Sequence, residues 1–342
     1  MQSSVTTRAF ILTLLCAAAG ALPLDPARAE VDYGGKRLTI VIGYGVGGTY
    51  DQYAQLFSRH LGRFLPGHPS VVVQTMPGAG GVKMLNEASV RGGADGTMIF
   101  IPPDTMVTTQ LLDPSGNLYD GRRFHYIGTA DQQNIFWVVR KDTVRSVADM
   151  KVREVFMGNS GKGSTGYSIP AVAKQLLGLK VKLIGGYEGS RDTILAMEKG
   201  EIDGTMQAWQ AWQQARPMWF EGSDPYGVPL LQVGVAADPD GPKVPLLSDL
   251  VAPGDKAVAG LFDTIGMIGR SLAAPPATPA HYVTALRKAF TAMAADQTFR
   301  HDAESIKLRV APKTGDSLQA AIADAIGETD ASSIARARAI VN

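Results

Sequence analysis

A glycine-rich segment from Gly43 to Thr49 has the residue types and the spacing to bind an anion through its backbone. It lies between a β-rich run and a helical pattern. Glycine lets the chain turn sharply and brings N–H groups close to a ligand, and the positive end of the following helix points to the same place. Such a turn binds an anion without a charged side chain, and Asp51 or Thr49 could cap the helix.

The same glycines allow a second interpretation, because Gly43, Gly45 and Gly48 satisfy the G-x-G-x-x-G pattern of dinucleotide-binding turns. That pattern needs an acidic residue at the end of the second strand to bind the ribose. This chain has Gln74 or Thr75 at that position. The sequence therefore favours an anion-binding turn over a dinucleotide site, with a plain tight turn as the structural alternative.

A second glycine-rich segment, Gly158 to Tyr167, also lies between a predicted strand and a predicted helix. A phosphate loop would need Ser or Thr after Lys162 and glycine at Phe156, and neither is present. A nucleophile elbow would need glycine in place of Lys162. Two interpretations of the segment remain. Its backbone amides and the hydroxyls of Ser160, Ser164 and Thr165 form a second anion-binding turn, or the segment is a solvated connection.

A third segment, Gly185 to Asp192, again follows a strand and opens a helix, and Ser190 is expected to be its N-cap. Ligands of doubly wound sheets bind at the carboxyl ends of the strands. All three segments could therefore face one crevice. Tyr44, Tyr50 and Tyr187 could contact a ligand there or pack in the core.

Trp209 follows a predicted strand that ends at Gln207. With Trp212 it forms an i, i+3 pair, for which core packing is the more common role. The alternative is that Trp209 stacks on the apolar body of a ligand while Gln207 offers hydrogen bonds.

Catalytic motifs are missing from the sequence. The histidines show no metal-ligand spacing, and no pair of carboxylates stands out. A Ser–His–Asp triad has no fixed order in sequence, so a hydrolase that uses Ser160 or Ser164 stays open as an alternative. We expect a protein that is not an enzyme and that needs no metal or cofactor.

Composition excludes other classes of protein. The chain has 342 residues, 45% hydrophobic and 19% charged, with Lys+Arg 33 against Asp+Glu 32. This length favours two domains. The balanced charge provides no basic surface for nucleic acid or anionic lipid. Composition does not decide between an enzyme and a binding protein.

Residues 1–29 are expected to be a cleaved signal peptide. Arg8 precedes an apolar run, Ala9 to Leu22, that is too short to span a bilayer. Ala27-Arg28-Ala29 supplies a small-x-small cleavage pattern, so we expect cleavage after Ala29 and export without insertion in the membrane. The single cysteine, Cys16, lies inside this segment, and the exported chain would therefore have no thiol.

The elements that position these segments alternate between strands and helices, which predicts α/β lobes with parallel strands. Apolar and helical patterns predict strands at 38–42, 71–73, 98–101, 154–157, 180–184 and 204–207, and helices at 50–65, around 84–88, 167–177, 190–199 and 209–218. From Pro275 onward the pattern is mainly helical, over 279–296, 298–306, 314–326 and 330–340.

Several of these segments together resemble a known family, the Bug-type periplasmic solute receptors that serve tripartite tricarboxylate transporters. The resemblance begins at Leu38 to Asp51 and covers essentially the whole exported chain. Its most specific part is Met76-Pro-Gly-Ala-Gly-Gly81. Its other parts are Val71 to Thr75, Ala94 to Thr97, Gly158 to Ser164, Gly186 to Ser190, Gly200 to Gly204 and Ala274 to Pro279.

The resemblance implies a type II periplasmic-binding-protein fold, in which two doubly wound lobes are joined by two crossover segments. We expect the crossings near Trp137–Val139 and near Val233–Ala236. Lobe one would then comprise 30–137 plus 237–342, and lobe two 138–236. The helical C-terminal region would pack on lobe one.

The resemblance also implies that two loops close on the carboxylate of a small organic acid. In this chain they run from Tyr44 to Thr49 and from Ser160 to Thr165, and Asp51 would orient the first loop or a bridging water. The candidate ligand-binding residues are Tyr44, Gly45, Val46, Gly47, Gly48, Thr49, Asp51, Asp104, Thr105, Ser160, Gly161, Gly163, Ser164, Thr165, Tyr187, Gly189, Ser190, Gln207 and Trp209.

The function implied by the resemblance is that of a periplasmic solute-binding protein. It would be a monomer that delivers a small carboxylate, such as a dicarboxylate or an aromatic acid, to inner-membrane transporter subunits. The alternatives are an exported α/β hydrolase and a receptor that presents its ligand to a membrane kinase.

Overall fold

Two β-sheets, each covered by helices, form the part of the chain that the computed structural model describes, residues 31–341. The first sheet contains β1 (Arg37–Ile42), β2 (Ser70–Thr75), β3 (Met98–Ile101), β4 (His125–Thr129), β10 (Ser271–Ala274) and β11 (Lys313–Thr314), in the spatial order β11-β4-β10-β3-β1-β2. The second contains β5 (Ile135–Arg140), β6 (Val155–Gly158), β7 (Val181–Ile184), β8 (Gly204–Ala208) and β9 (Gly227–Val233), in the order β7-β6-β8-β5-β9. The predicted signal peptide, with Cys16, lies outside the described residues.

The helices alternate with the strands along much of the chain. They are α1 (Thr49–His60), α2 (Val82–Arg91), α3 (Met106–Leu112), α4 (Thr165–Leu177), α5 (Ser190–Glu198), α6 (Trp209–Ala215), α7 (Leu247–Leu250), α8 (Lys256–Asp263), α9 (Ile265–Ile268), α10 (Ala280–Ala295), α11 (Gln297–Ser305), α12 (Gly315–Gly327) and α13 (Ala331–Val341). No helix within residues 31–341 is long and apolar enough to cross a membrane.

Each sheet combines parallel and antiparallel strands. β1 is parallel to β2 and to β3, and helices α1 and α2 make the two crossovers between them. β6 is parallel to β7 and β8. Other pairs of strands are antiparallel: β10 pairs with β3 and β4, and β5 pairs with β8 and β9. Parallel strands with helical crossovers place the ends of β1, β6 and β7 beside the helices that follow them.

Most predicted elements are present with small changes at their ends. The helix expected over 50–65 is α1, which ends at His60 and continues as a short 3₁₀ turn, Leu61–Phe64. The expected crossing at 137–139 falls inside β5, whose pairing partners all lie in the second sheet. Because β5 is a continuous buried apolar run, its sequence does not show the alternation that identifies a half-buried strand.

Buried apolar residues form the core on both faces of the first sheet and around the second sheet. On one face, α1 packs against α10 and α11, with the Phe57 ring 6.1 Å from Phe290 and 6.3 Å from Phe299. α12 packs against β4. The C-terminal helix α13 contacts α3 and α8 and also α4, which follows a strand of the second sheet. The helical C-terminal region is therefore not confined to the first sheet.

Candidate anion-binding site between the sheets

Three helices begin at one cavity between the two sheets. α1 follows β1, α4 follows β6 and α5 follows β7, and the first residues of all three, Thr49, Thr165 and Ser190, line the cavity. The cavity volume is about 40 Å³, room for a few water molecules. The first N–H groups of a helix have no partner within the helix and carry the positive end of its dipole, so the cavity has the electrostatic character of an anion site.

About half of the residues predicted from the sequence reach this cavity. Those that line it are Tyr44, Gly48, Thr49, Asp104, Ser160, Ser164, Thr165, Gly189, Ser190 and Gln207. The remaining predicted residues, Gly45, Val46, Gly47, Asp51, Thr105, Gly161, Gly163, Tyr187 and Trp209, are not among the lining residues.

Three backbone N–H groups of the first glycine-rich segment donate hydrogen bonds to other residues of the protein. Gly45 N–H donates to the carbonyl oxygen of Glu188 at 3.0 Å. Gly47 N–H donates to the Asp51 carboxylate at 2.8 Å, and Thr49 N–H to the Ser190 hydroxyl at 3.4 Å. These three amides therefore shape the loop and join the two sheets in this structure.

Asp51 is buried and holds this loop in place. One carboxylate oxygen accepts the Gly47 N–H, and the other accepts a hydrogen bond from the Gln55 amide at 3.1 Å. Gly47 has φ +80°, a left-handed conformation that favours glycine. The contacts of Asp51 thus fix a turn that only glycine adopts readily.

The second glycine-rich segment packs against the turn at Met76–Gly81. Gly80 N–H donates to the Ser160 carbonyl oxygen at 2.9 Å, and the Thr105 hydroxyl donates to the Gly163 carbonyl oxygen. A Cβ on Gly163 would overlap the carbonyl oxygen of Ala79. Gly163 and Thr105 therefore hold the two sheets together at this point.

Hydroxyl groups are the hydrogen-bond donors at the cavity that a ligand could use. Ser164 and Thr205 are already occupied, because their hydroxyls donate to the carbonyl oxygens of Gly161 and Gly158, respectively. The hydroxyls of Thr49, Ser160 and Thr165, by contrast, have no hydrogen-bond partner among residues 31–341. With the helix N-termini, they give an anion a set of neutral donors.

A buried ion pair between Arg270 and Asp104 completes the lining, and sequence reasoning missed its arginine. Arg270 Nη1 lies 2.9 Å from each of the two carboxylate oxygens of Asp104. The guanidinium carbon lies 4.1 Å from the centroid of the Tyr50 ring, whose hydroxyl accepts the Asp104 N–H at 2.9 Å. Burial raises the pKa of Asp104, and the Arg270 guanidinium opposes that shift. Arg270 and Asp104 are the charged residues that line the cavity.

Aromatic side chains near the site pack mainly on each other. The Tyr44 and Tyr50 rings lie 4.4 Å apart, and the Tyr44 hydroxyl donates to the Gly80 carbonyl oxygen at 3.0 Å. Burial raises the pKa of both tyrosines. The Trp209 ring packs on Phe136 and Phe220, at 5.5 and 4.7 Å, so the structure places it in an aromatic cluster of the second sheet.

A polar network lies where the chain passes between the sheets. Arg309 Nε donates to the Asp131 carboxylate at 2.8 Å, and Arg309 Nη1 donates to Asp240 at 2.7 Å. The backbone of Arg270 is tied to the same segment, since its N–H donates to the Asp131 carbonyl oxygen at 2.9 Å and its carbonyl accepts the Ala130 N–H at 3.0 Å. Burial raises the pKa of Asp131 to about 6, against the opposing effect of Arg309.

The cavity lacks the partners that serine hydrolysis needs. Ser160 and Ser164 line it, but no histidine is among its lining residues. Within the described part of the chain, no group of three or more His, Cys, Asp or Glu residues could hold a metal ion. The arrangement is suited to binding an anion.

Comparison with known proteins gives a match by structure. No protein-family model matches the sequence, and no curated protein matches it significantly. The structure is similar to the periplasmic binding protein BugD, with a TM-score of 0.69 and 18% identity, covering 88% of this chain and 97% of BugD. It is also similar to MatC from Rhodopseudomonas palustris with bound malate, with a TM-score of 0.66 and 18% identity, covering 90% of this chain and 99% of MatC.

A third similar structure, R. palustris Rpa4515 with adipate, has a TM-score of 0.66 and 22% identity, covering 89% of this chain and 98% of that protein. The chain thus has the fold of the periplasmic binding proteins, and the α/β class predicted from the sequence is confirmed. More particularly, the resemblance to Bug-type receptors is confirmed at the level of the fold, since BugD is among the similar structures.

Proposed function

We propose that this protein is a periplasmic solute-binding protein that holds a small organic carboxylate in the cavity between its two sheets. The observation that carries the proposal is the convergence of three helix N-termini, those of α1, α4 and α5, on that cavity. These helices have 12, 13 and 9 residues, so each has a developed dipole. A carboxylate is one of the anions that bind at helix N-termini.

The energetics favour reversible binding. Hydrogen bonds from neutral donors to a charged acceptor contribute about 1.5–3 kcal/mol each. Thr49, Ser160 and Thr165 supply such donors from both sheets. Because Arg270 and Asp104 neutralise each other, the cavity carries no net side-chain charge that would hold an anion too tightly for release.

Binding is proposed to be coupled to movement of the sheets as two lobes. We place one crossing at 130–134, between β4 and β5, and the return crossing between β9 and β10, after the segment 244–250 that still packs on β9. The contacts of Gly45 with Glu188 and of Gly80 with Ser160 join the lobes, so the described arrangement corresponds to a closed state. A ligand that contacts both lobes favours closure through its higher affinity for the closed form.

Similar structures support a carboxylate as the ligand, because MatC holds malate and Rpa4515 holds adipate. We further propose a periplasmic location after cleavage behind Ala29, and delivery of the ligand to inner-membrane subunits of a tripartite tricarboxylate-type transporter. In this role the protein binds its ligand without chemical change.

The proposal is tested by thermal unfolding of the protein after denaturation and refolding have removed any bound ligand. The screen contains mono-, di- and tricarboxylates, aromatic acids, amino acids and neutral sugars. A ligand at 100 times its Kd adds about 2.7 kcal/mol, which raises Tm by several degrees. Stabilisation by one class of acids is the expected result, and stabilisation by neutral sugars alone contradicts a carboxylate site. Hydrolysis of esters or amides without any stabilisation supports a hydrolase.

A further inference from the structure

A second cavity lies beside the turn Met76–Gly81, and it shares no lining residue with the anion cavity, the one at the three helix N-termini. The volume of the second cavity is about 310 Å³, against about 40 Å³ for the anion cavity. Pockets that bind small molecules have volumes of about 300–1,000 Å³. The second cavity is therefore large enough to hold a ligand of its own.

Apolar side chains from four helices contribute to the wall of the second cavity. Val82 belongs to α2, Leu112 to α3, Tyr167 to α4 and Val341 to the C-terminal helix α13. Leu112 is buried, whereas Tyr167 and Val341 are half-buried. Tyr167 also brings an aromatic ring, on which a flat molecule can pack in an offset or edge-to-face arrangement. The wall is thus suited to a molecule with an apolar body.

Most polar groups of the lining already have partners in the protein. The hydroxyls of Thr108 and Ser168 donate to carbonyl oxygens one helical turn earlier, at 2.9 and 3.1 Å. The Asp113 carboxylate accepts two hydrogen bonds within its own turn, at 2.9 and 3.1 Å. Lys162 and Asp113 are the charged residues of the lining, and their charges are opposite. A cavity without net charge favours a neutral occupant, because an ion would lose its hydration there.

Both lobes contribute to the second cavity. Val82 and Leu112 come from helices of the first sheet, and Tyr167 comes from a helix of the second. The two groups are held together nearby by the 2.9 Å hydrogen bond from Gly80 N–H to the Ser160 carbonyl oxygen. Separation of the lobes would move α2 and α3 away from α4 and divide the cavity. A molecule that fills it therefore favours the closed form.

We propose that the second cavity binds a small neutral aromatic molecule, and that its occupation raises the affinity of the anion cavity for a carboxylate. A dry cavity of about 150 Å³ holds benzene, so this cavity has room for one ring or two fused rings. The coupling follows because both ligands favour the same closed form, and it is reciprocal. The coupling rests on the proposed function, whereas the aromatic site itself does not.

Titration calorimetry with indole and with 4-methylphenol tests the site, since both probes are neutral and aromatic. The full exported chain is expected to bind them with a Kd on the order of 0.1–1 mM. With indole near saturation, the affinity for the acid identified in the thermal screen is expected to rise about five- to tenfold.

Two cavity-filling variants locate the binding. Val341→Trp adds bulk from the last turn of α13, and Thr109→Trp adds it from α3; both residues are half-buried and line the cavity. Each is expected to weaken indole binding at least about tenfold and to abolish the effect of indole on carboxylate affinity. Ala339→Trp is the matched control, because Ala339 is exposed on α13 and does not line the cavity. The control is expected to bind indole as the wild-type protein does.

The outcomes separate this inference from the proposed function. If neither probe binds, or if both cavity-filling variants bind indole as tightly as the wild-type protein, the second site is wrong and the carboxylate receptor stands. If indole binds in the second cavity without changing carboxylate affinity, the coupling is wrong. If no carboxylate binds while indole binds and the cavity-filling variants lose it, the proposed function and the coupling fail, and the aromatic site stands.

Discussion

The backbone N–H of Gly80 donates a hydrogen bond of 2.9 Å to the carbonyl oxygen of Ser160. These residues belong to turns that follow strands of different sheets. Gly80 has φ +68°, and a Cβ at this position would overlap the backbone of Gly163 and Ser164. Glycine is therefore required here both by the turn and by the close approach of the two sheets.

Gly163→Ala is expected to weaken ligand binding by hindering closure. Its Cβ would overlap the Ala79 carbonyl oxygen, and such overpacking costs about 1–3 kcal/mol. We expect affinity for the acid identified in the thermal screen to fall roughly tenfold to a hundredfold, and small-angle scattering to show a larger radius of gyration. Gly260→Ala is the control, since nothing lies within 4 Å of its added Cβ. Unchanged affinity and radius in Gly163→Ala would show that this contact does not govern closure.

Thr165→Val is expected to lower ligand affinity with little effect on folding. The substitution keeps the shape of the side chain and removes a hydroxyl at the N-terminus of α4 that lines the cavity. Loss of one hydrogen bond to a carboxylate corresponds to a decrease of about ten- to a hundredfold, measured by titration calorimetry. Thr291→Val, which removes a hydroxyl bonded to Arg287 in α10, should leave affinity unchanged. Equal affinities in both variants would place the ligand away from α4.

Asp51→Ala is expected to reduce affinity although Asp51 does not line the cavity. The carboxylate holds Gly47 at 2.8 Å, and without it the loop before α1 loses its fixed conformation. We expect a decrease of about tenfold in affinity, from the cost of ordering the loop on binding. Asp95→Ala removes a similar contact, to Thr97 N–H at 3.0 Å, in a different turn and is the control. A large loss of stability without loss of affinity would assign Asp51 a purely structural role.

Asp131 should make stability depend on pH between about pH 4 and pH 6. Burial raises its pKa from 3.8 to about 6, so the folded state binds a proton more readily than the unfolded chain. The protonated form favours folding, and this contribution is lost as the pH rises through about 6. The free energy of unfolding of the wild-type protein, relative to Asp131→Asn, is expected to fall by up to about 3 kcal/mol from pH 4 to pH 7.

Asp120→Asn is the comparison variant for that measurement, because the pKa of Asp120 is lowered in the folded protein whereas that of Asp131 is raised. A hydrogen bond from Arg122 lowers the pKa of Asp120 to about 2, so its stabilising contribution is present above its ordinary pKa and is lost as the pH falls toward 2. The difference between wild type and this variant should be nearly constant above about pH 5. A similarly flat difference for Asp131→Asn would show that Asp131 stays ionised throughout.

The order of elements could be predicted from the sequence because strand and helix patterns alternate clearly from Leu38 to Ile101. The same patterns did not identify β5 or β10, which are short, continuously buried runs without alternation. Such runs acquire their role from the strands that pair with them, here β8 and β9 for β5. Pairing of this kind depends on the tertiary fold.

The parts of the site that depend on neighbouring residues in the sequence could be predicted. The parts that depend on packing between distant segments of the chain were missed. The turns before Thr49, Thr165 and Ser190 are visible in the sequence because glycines and hydroxyls precede a helical pattern. Arg270 contacts Asp104 across 166 positions and belongs to no motif. The use of the Gly45 amide by Glu188 also depends on the approach of the second sheet, and it leaves hydroxyls as donors where backbone amides were expected.

The hydrogen bonds between Arg270 and the Ala130–Asp131 segment bear on the order in which the two lobes contact the ligand. Its N–H and carbonyl bond that segment at 2.9 and 3.0 Å, beside one of the proposed pivots. Points near a pivot move least when two bodies swing apart, so we expect Arg270 and α1 to stay together in the separated form. An arriving ligand would then dock first on the lobe that carries Arg270. The hydroxyls of Ser160 and Thr165 would form their hydrogen bonds to the ligand last, and these bonds would break first on release.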